Sequence, residues 1–393
     1  MRSGRSMMVG KNKTNGLAFT ILMMSLITAM TGAAVSPALG QIKGYYSDVD
    51  TVYIQMISST PALFILMVNL LFTKIEKHFN SKTIAIMGIT FYVLSGVMGG
   101  LVSNIYLLLF SRVLIGIGTG LIMPLSTGLL GYYFSSDKQG QLMGYSSAMN
   151  NIGGIVAMSL SGYLAAISWR YSFFVYLIGL LVMVMVIIVL PKAKLNGKEN
   201  RIHFKDIKEN TLFFIGMFLL QTVFYLFITN YAFIAQKNGI VQTNMVGMLM
   251  SVQSVGAVLM SLMFGKLKKQ MGNYIRYFGI VAFGLSYLLL AVSDNLAINI
   301  IALLLNGMGF GTLMPFFNVA LLGNVSKDKS VGIMSVMSAS LYLGQFLSPI
   351  ILAVIISAFS IEGIKFPYFL GISLSVVLLL LFTQMKGQKK RVS

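Results

Sequence analysis

The chain has 393 residues, of which 56% are hydrophobic and 10% charged, with a mean hydropathy of +0.83 and a formal net charge of +19. Soluble domains carry about a quarter of their residues as charges. Here apolar runs recur along the whole length, which is the composition of an all-α polytopic membrane protein. Cysteine is absent and the only histidines are His78 and His203, so disulfides, thiolate chemistry and a Cys/His metal site are excluded.

The first apolar run, near 17–39, follows Arg2, Arg5, Lys11 and Lys13 and ends in small residues, as a secretory signal also does. Its length and the similar runs behind it make it the first span. A span needs about 20 mainly apolar residues. On that criterion the next five lie near 51–73, 83–102, 104–133, 141–166 and 171–190. A polar, basic segment, PKAKLNGKENRIHFKDIKEN, fills 191–210. Six more spans follow near 211–235, 243–264, 275–293, 296–322, 329–357 and 366–385. The expected organisation is an N-terminal six-helix bundle over 1–190, a cytoplasmic central loop over 191–210 and a C-terminal six-helix bundle over 211–393.

With twelve spans, 24 of the lysines and arginines fall on the side of the two termini, four (Lys43, Arg170, Lys237 and Lys365) on the other, and Arg112 within a span. That asymmetry predicts cytoplasmic termini and a multi-pass protein of the plasma membrane. It assigns the net charge to topology and the anionic inner leaflet rather than to nucleic acid.

The two halves repeat one another. GIGTGLIMP at 116–124 matches GMGFGTLMP at 307–315, an offset of 191, aligning Gly116, Gly118, Gly120 and Pro124 with Gly307, Gly309, Gly311 and Pro315. TKIEKHFNSK at 73–82 corresponds to GKLKKQMGNY at 265–274, an offset of 192. Such duplication predicts pseudo-symmetric bundles about a midplane site. Glycines four apart, such as Gly116 and Gly120, are expected to let helices approach closely.

All ten acidic residues fall between spans, so paired carboxylates for acid-base or metal catalysis are missing at membrane depth, and no enzyme, cofactor or metal is expected. Apart from Arg276 and Lys329 at the ends of their spans, Arg112 is the one charge inside a span, eight residues past Asn104 and so roughly 12 Å deep at 1.5 Å per residue. An arginine near a helix centre costs about 2.5–3.5 kcal/mol, so it should face protein or water. It is the candidate coupling residue, with a structural hydrogen-bonding hub as the alternative. Neutral polar residues inside spans, Gln55, Asn150, Asn151, Gln221, Tyr225, Asn230, Gln253, Asn306 and Asn318 among them, sketch a substrate cavity. Each taken alone is better explained by an interhelical hydrogen bond than by a ligand contact. The 28 methionines would suit adaptable apolar packing or binding surfaces.

Twelve spans, a basic central loop, a 6+6 repeat and RVLIGIGTG in the fourth span together resemble the major facilitator superfamily, over essentially the whole chain. The pattern from Arg112 to Gly120 is similar to the fourth-span motif of its twelve-helix drug/proton antiporters. By that resemblance Arg112 takes part in proton transfer. Two other motifs depart from the pattern. The loop after the second span has Thr73, Lys77, His78 and Asn80 where the family has glycine, aspartate, arginine and glycine. The fifth-span motif has Ala157, Met158, Ser161 and Gly162 in place of G-P-x-x-G-G, although Trp169-Arg170 follows.

The resemblance implies a secondary transporter working by alternating access, expected to be a monomer in the bilayer, with proton-coupled efflux of lipophilic drug-like compounds as the leading expectation. A specific exporter or importer of a small metabolite, uniport included, is the alternative, and a non-transporting receptor or assembly protein a third. No P-loop is present to couple ATP.

Overall fold

A computed structural model describes residues 11–134, 136–194, 204–325 and 330–384. The helices are α1 (Lys11–Ala33), α2 (Leu39–Tyr45), α3 (Thr51–His78), α4 (Ser81–Leu101), α5 (Ile105–Tyr133), α6 (Ser136–Ile167) and α7 (Ile178–Val189) in the first half. The second half holds α8 (Phe204–Glu209), α9 (Thr211–Lys237), α10 (Val246–Met271), α11 (Ile275–Val292), α12 (Leu296–Leu322), α13 (Ser330–Phe359) and α14 (Phe366–Gln384). Among the described residues, eleven helical stretches are long and apolar enough to cross a membrane. The more polar α6, packed along α1 and α10, is the twelfth by its place in the fold.

Two spans are built differently from the expectation. The first does not stop at 39: α1 ends at Ala33, a 3-10 turn at Ser36–Ala38 carries Pro37, and α2 continues to Tyr45. A proline cannot donate the backbone bond that a continuous helix needs there. The sixth span opens with a 3-10 stretch, Trp169–Leu177, before α7. The short α8 stands in the central segment.

Helix starts follow side-chain capping, in which a short polar side chain accepts from the first free backbone N–H groups. Asp50 accepts from Val52 N at 3.0 Å, Asn80 from Thr83 N at 3.0 Å, and Asn104 from Tyr106 N at 2.8 Å. Asn295 caps α12 in the same way, accepting from Ala297 N at 2.9 Å, and lies 191 residues after Asn104. The sequence repeat therefore includes the caps. It breaks at the turn before the third helix of each half, where Asn80 is extended (φ −80) and its counterpart Gly272 has φ +58.

The glycine ladder explains the packing of each half. Residues two apart on a helix point about 200° apart, so alternate glycines serve opposite neighbours. A Cβ on Gly116 would lie 2.7 Å from the Pro61 carbonyl oxygen of α3, and one on Gly120 2.7 Å from Val68 of the same helix. One on Gly118 would instead strike Gly88 and Tyr92 of α4. In the second half Gly307 and Gly311 press on α10, at Gln253 and Ala257, and Gly309 on α11, at Phe283. Pro124 and Pro315 follow one turn later inside their helices.

Buried apolar side chains form two large clusters, one running from Leu17 to Leu190 and one from Phe213 to Phe382 that also takes in Met158. The seam between the halves is made by α6 against α10 and α3 against α13. The end of the molecule holding α8 and the α3–α4 and α10–α11 turns carries most of the described basic side chains and is called the basic face below. The opposite end is the far face.

Candidate functional site: a neutral cavity on the seam

At mid-depth the seam opens into a cavity of about 370 Å³. Its walls come from α1, α3, α5 and α6 of the first half and α9, α10, α12 and α13 of the second. These are the first, second, fourth and fifth spans of each bundle, the same spans in which the sequence concentrates neutral polar residues. Of the candidates, Asn150, Asn151, Gln221, Tyr225 and Gln253 line it. Gln345 Nε2 donates to Gln221 Oε1 at 3.1 Å, and Thr28 Oγ1 donates to Asn150 Oδ1 at 3.3 Å. Asn150 is exposed although it lies in the middle of α6.

The remaining candidates lie elsewhere. Gln55 and Asn230 are on the wall of a second, larger cavity of about 770 Å³ at the far face, with Lys43, Asp50 and Lys237. There Gln55 Nε2 donates to Asn230 Oδ1 at 2.7 Å. Asn306 and Asn318 line neither cavity. They stand on one stripe of α12 with Phe310 and Met314, spaced by four, but the cavity spans only the middle two of those turns. Asn306, one turn toward the far face, is fully enclosed, and Asn318, one turn toward the basic face, is half-buried.

Arg112 is 0% exposed and lies behind the cavity wall rather than in it. Its Nε donates to the Ile57 carbonyl at 2.8 Å, and its Nη2 to the Thr31 carbonyl and to Tyr176 Oη, each at 2.9 Å. Tyr176 in turn donates to the Thr31 carbonyl at 2.9 Å, and the guanidinium lies 5.2 Å from the Tyr176 ring and 5.7 Å from that of Phe173. Interhelical bonds in membranes contribute about 0.6–2 kcal/mol each, so three of them offset most of the insertion cost of the charge. The arginine ties α1, α3, α5 and the 3-10 stretch before α7 together. One of its acceptors, Thr31, is itself a cavity residue.

Several participants were not apparent in the sequence. Tyr176 gives no signal there, being one aromatic in SWRYSFFVYL. The hydroxyls of Thr31, Ser58, Thr119 and Ser126 line the cavity. So do Phe224 and Phe310, stacked with ring centroids 4.1 Å apart, and Met123, Met158 and Met314. The one glycine that the fifth-span motif keeps has a place as well: a Cβ on Gly162 would lie 2.5 Å from Gly247 Cα, so α6 and α10 touch backbone to backbone near the far face, beside Met158.

The profile of the Major Facilitator Superfamily matches residues 17–349 and, in a second alignment, 213–393. The chain belongs to the major facilitator superfamily. Among curated proteins it is 26% identical over 249 residues to Multidrug resistance protein 1 of Bacillus subtilis (strain 168), covering 61% of this chain and 64% of that one. It is 32% identical over 114 residues to Quinolone resistance protein NorA of Staphylococcus aureus, 29% of each chain. The chain thus matches less than two thirds of the length of these relatives. Among solved structures it resembles the nucleoside transporter NupG (TM-score 0.75, 16% identity, 96% of this chain and 100% of that one). It also resembles the POT family transporter PepTSo (TM-score 0.76, 12% identity, 96% and 99%). At those identities the likeness is one of fold. The protein is a multi-pass membrane protein of a transporter family and not an enzyme.

Proposed function

We propose that this superfamily member exports lipophilic, drug-like compounds across the plasma membrane by alternating access, acting as a monomer with both termini in the cytoplasm. One observation carries the reading: a mid-depth cavity built equally from both bundles lies one helical turn from the Gln55–Asn230 contact, beyond which a second cavity opens at the far face. Rocking the bundles about the seam would break that contact and join the two spaces. The stacked phenylalanines and the thioethers favour flat apolar cargo, and the drug-resistance relatives point the same way.

Proton coupling is part of the proposal, with Arg112 as its candidate residue. The cavity wall holds no acidic residue among those described, whereas Asp50 lines the far-face vestibule. Arg112 would transmit coupling through the contacts it makes with α1 and α3. The metabolite-carrier alternative draws on a different feature, the four carboxamides Asn150, Asn151, Gln221 and Gln253 in the same wall. Uptake into proteoliposomes of a panel of dyes, drugs and small metabolites, with and without a pH gradient, separates the two. Gradient-driven movement of dyes supports export of lipophilic compounds, and movement of metabolites alone replaces that reading with the second.

A further inference from the structure

Building on the export reading, we infer that the central cavity takes uncharged aromatic compounds rich in hydrogen-bond acceptors and discriminates against cations. The inference follows from charge placement. Every acidic residue in the sequence lies between spans, and among the described residues the wall contains no charged side chain of either sign. A cation seated there would give up hydration without gaining a counter-charge.

The bias goes further because of Arg112. Its guanidinium is completely buried, forms no ion pair among the described residues, and leaves Nη1 without a hydrogen-bond partner. All three of its bonds go to neutral oxygens, so its charge is uncompensated. Since the Thr31 carbonyl both accepts from Arg112 and belongs to a cavity-lining residue, that charge sits one residue behind the wall. In a low-dielectric interior such a charge repels a cation in the cavity and favours electron-rich groups.

The aromatic pair does not reverse this. Phenyl faces attract cations through their quadrupoles, but Phe224 and Phe310 are stacked on each other, which leaves each a single free face. The polar groups opposite them are amides and hydroxyls. Those of Asn150, Asn151 and Gln253 carry N–H donors suited to carbonyl and ether acceptors.

The test compares acridone, which is uncharged and carries a carbonyl, with 10-methylacridinium, a permanent cation of nearly the same outline. Both are titrated by fluorescence against the purified full chain in detergent micelles, with empty micelles as the blank. The expected result is at least tenfold tighter binding of acridone. Asn150→Asp, which keeps the acceptor for Thr28, should reduce that preference at least tenfold by gaining affinity for the cation. Gln253→Glu, which keeps the acceptor for Ser254, serves if the first variant does not fold. Equal or tighter binding of 10-methylacridinium by the unaltered chain overturns the inference and leaves the export reading standing. So does a preference that no cavity carboxylate shifts. Binding of neither probe counts against the lipophilic-export reading and the inference together.

Discussion

Gln55 and Asn230 join α3 to α9 across the seam, one carboxamide donating to the other at 2.7 Å with both side chains buried. Asn230 is held in place from its own helix, where its Nδ2 donates to the Leu226 carbonyl at 2.9 Å and to Thr229 Oγ1 at 3.0 Å. Gln55 faces a fixed acceptor, so the contact is a latch between bundles rather than a chance approach. A double-mutant cycle with Gln55→Ala and Asn230→Ala, read by thermal unfolding in detergent, should give a coupling of about 0.6–1.7 kcal/mol. Additive single effects would mean that the pair does not act as a unit.

Arg112→Ala removes three hydrogen bonds and strands the Ile57 carbonyl, while the Thr31 carbonyl keeps only the Tyr176 hydroxyl. The expected loss is about 2–4 kcal/mol of stability, with gradient-driven transport abolished in the protein that still inserts. Tyr176→Phe deletes only the hydroxyl and should cost about 1 kcal/mol. If Arg112→Ala transports at the unaltered rate, the arginine has no part in coupling.

Gly162 and Gly247 set how closely α6 and α10 can approach. Gly162→Leu has no room for its side chain against the Gly247 backbone, so it should hold the far face apart while the basic face is unaffected. Because the chain lacks cysteine, a single Ser58→Cys is a clean reporter. An impermeant maleimide added at the far face should label it several-fold faster in the Gly162→Leu background. An unchanged rate would show that this contact does not control the far-face opening.

How much of this was legible beforehand depends on the kind of signal. Apolar runs show the spans, the 191-residue offset shows the paired glycine ladders, because packing in both halves needs the same small residues at the same turns, and neutral polar residues inside spans mark the eight that form the cavity. The choice of lining residues was harder to read. Gln55, Asn230, Asn306 and Asn318 have the same chemistry as Asn150 and Gln253 but sit a turn too high or too low, a difference of depth that composition does not encode. Tyr176 reaches Arg112 only because the 3-10 stretch places it there, and no spacing rule announces that. Gly162, the one glycine that the fifth-span motif keeps, serves a backbone contact with α10.

At the far face, Asp294 bonds to Lys365 at 2.9 Å and accepts from Asn238 at 3.1 Å. Burial alone would raise the Asp294 carboxyl, but these two partners outweigh it and hold the group below its ordinary value of 3.8. A lowered carboxylate stabilises the fold above its unfolded value, and the contribution is lost as pH falls below 3.8 through the folded value. The pair is partly exposed, so its contribution is below about 1 kcal/mol. Asp294→Asn should lower the unfolding temperature slightly at pH 7 and make no difference once the carboxyl is protonated. A larger deficit in acid than at pH 7 would contradict the assignment.

The central claim is that one cavity, lined by both bundles, is exposed to each face in turn. Ser254→Cys places a single thiol in that cavity on α10. Its labelling by an impermeant maleimide should be measured in oriented proteoliposomes from each side separately. The account predicts reaction from both faces, with Gly162→Leu speeding the far-face reaction and a bound substrate slowing both. Labelling from one face only, under every gradient and with every substrate tried, would contradict it.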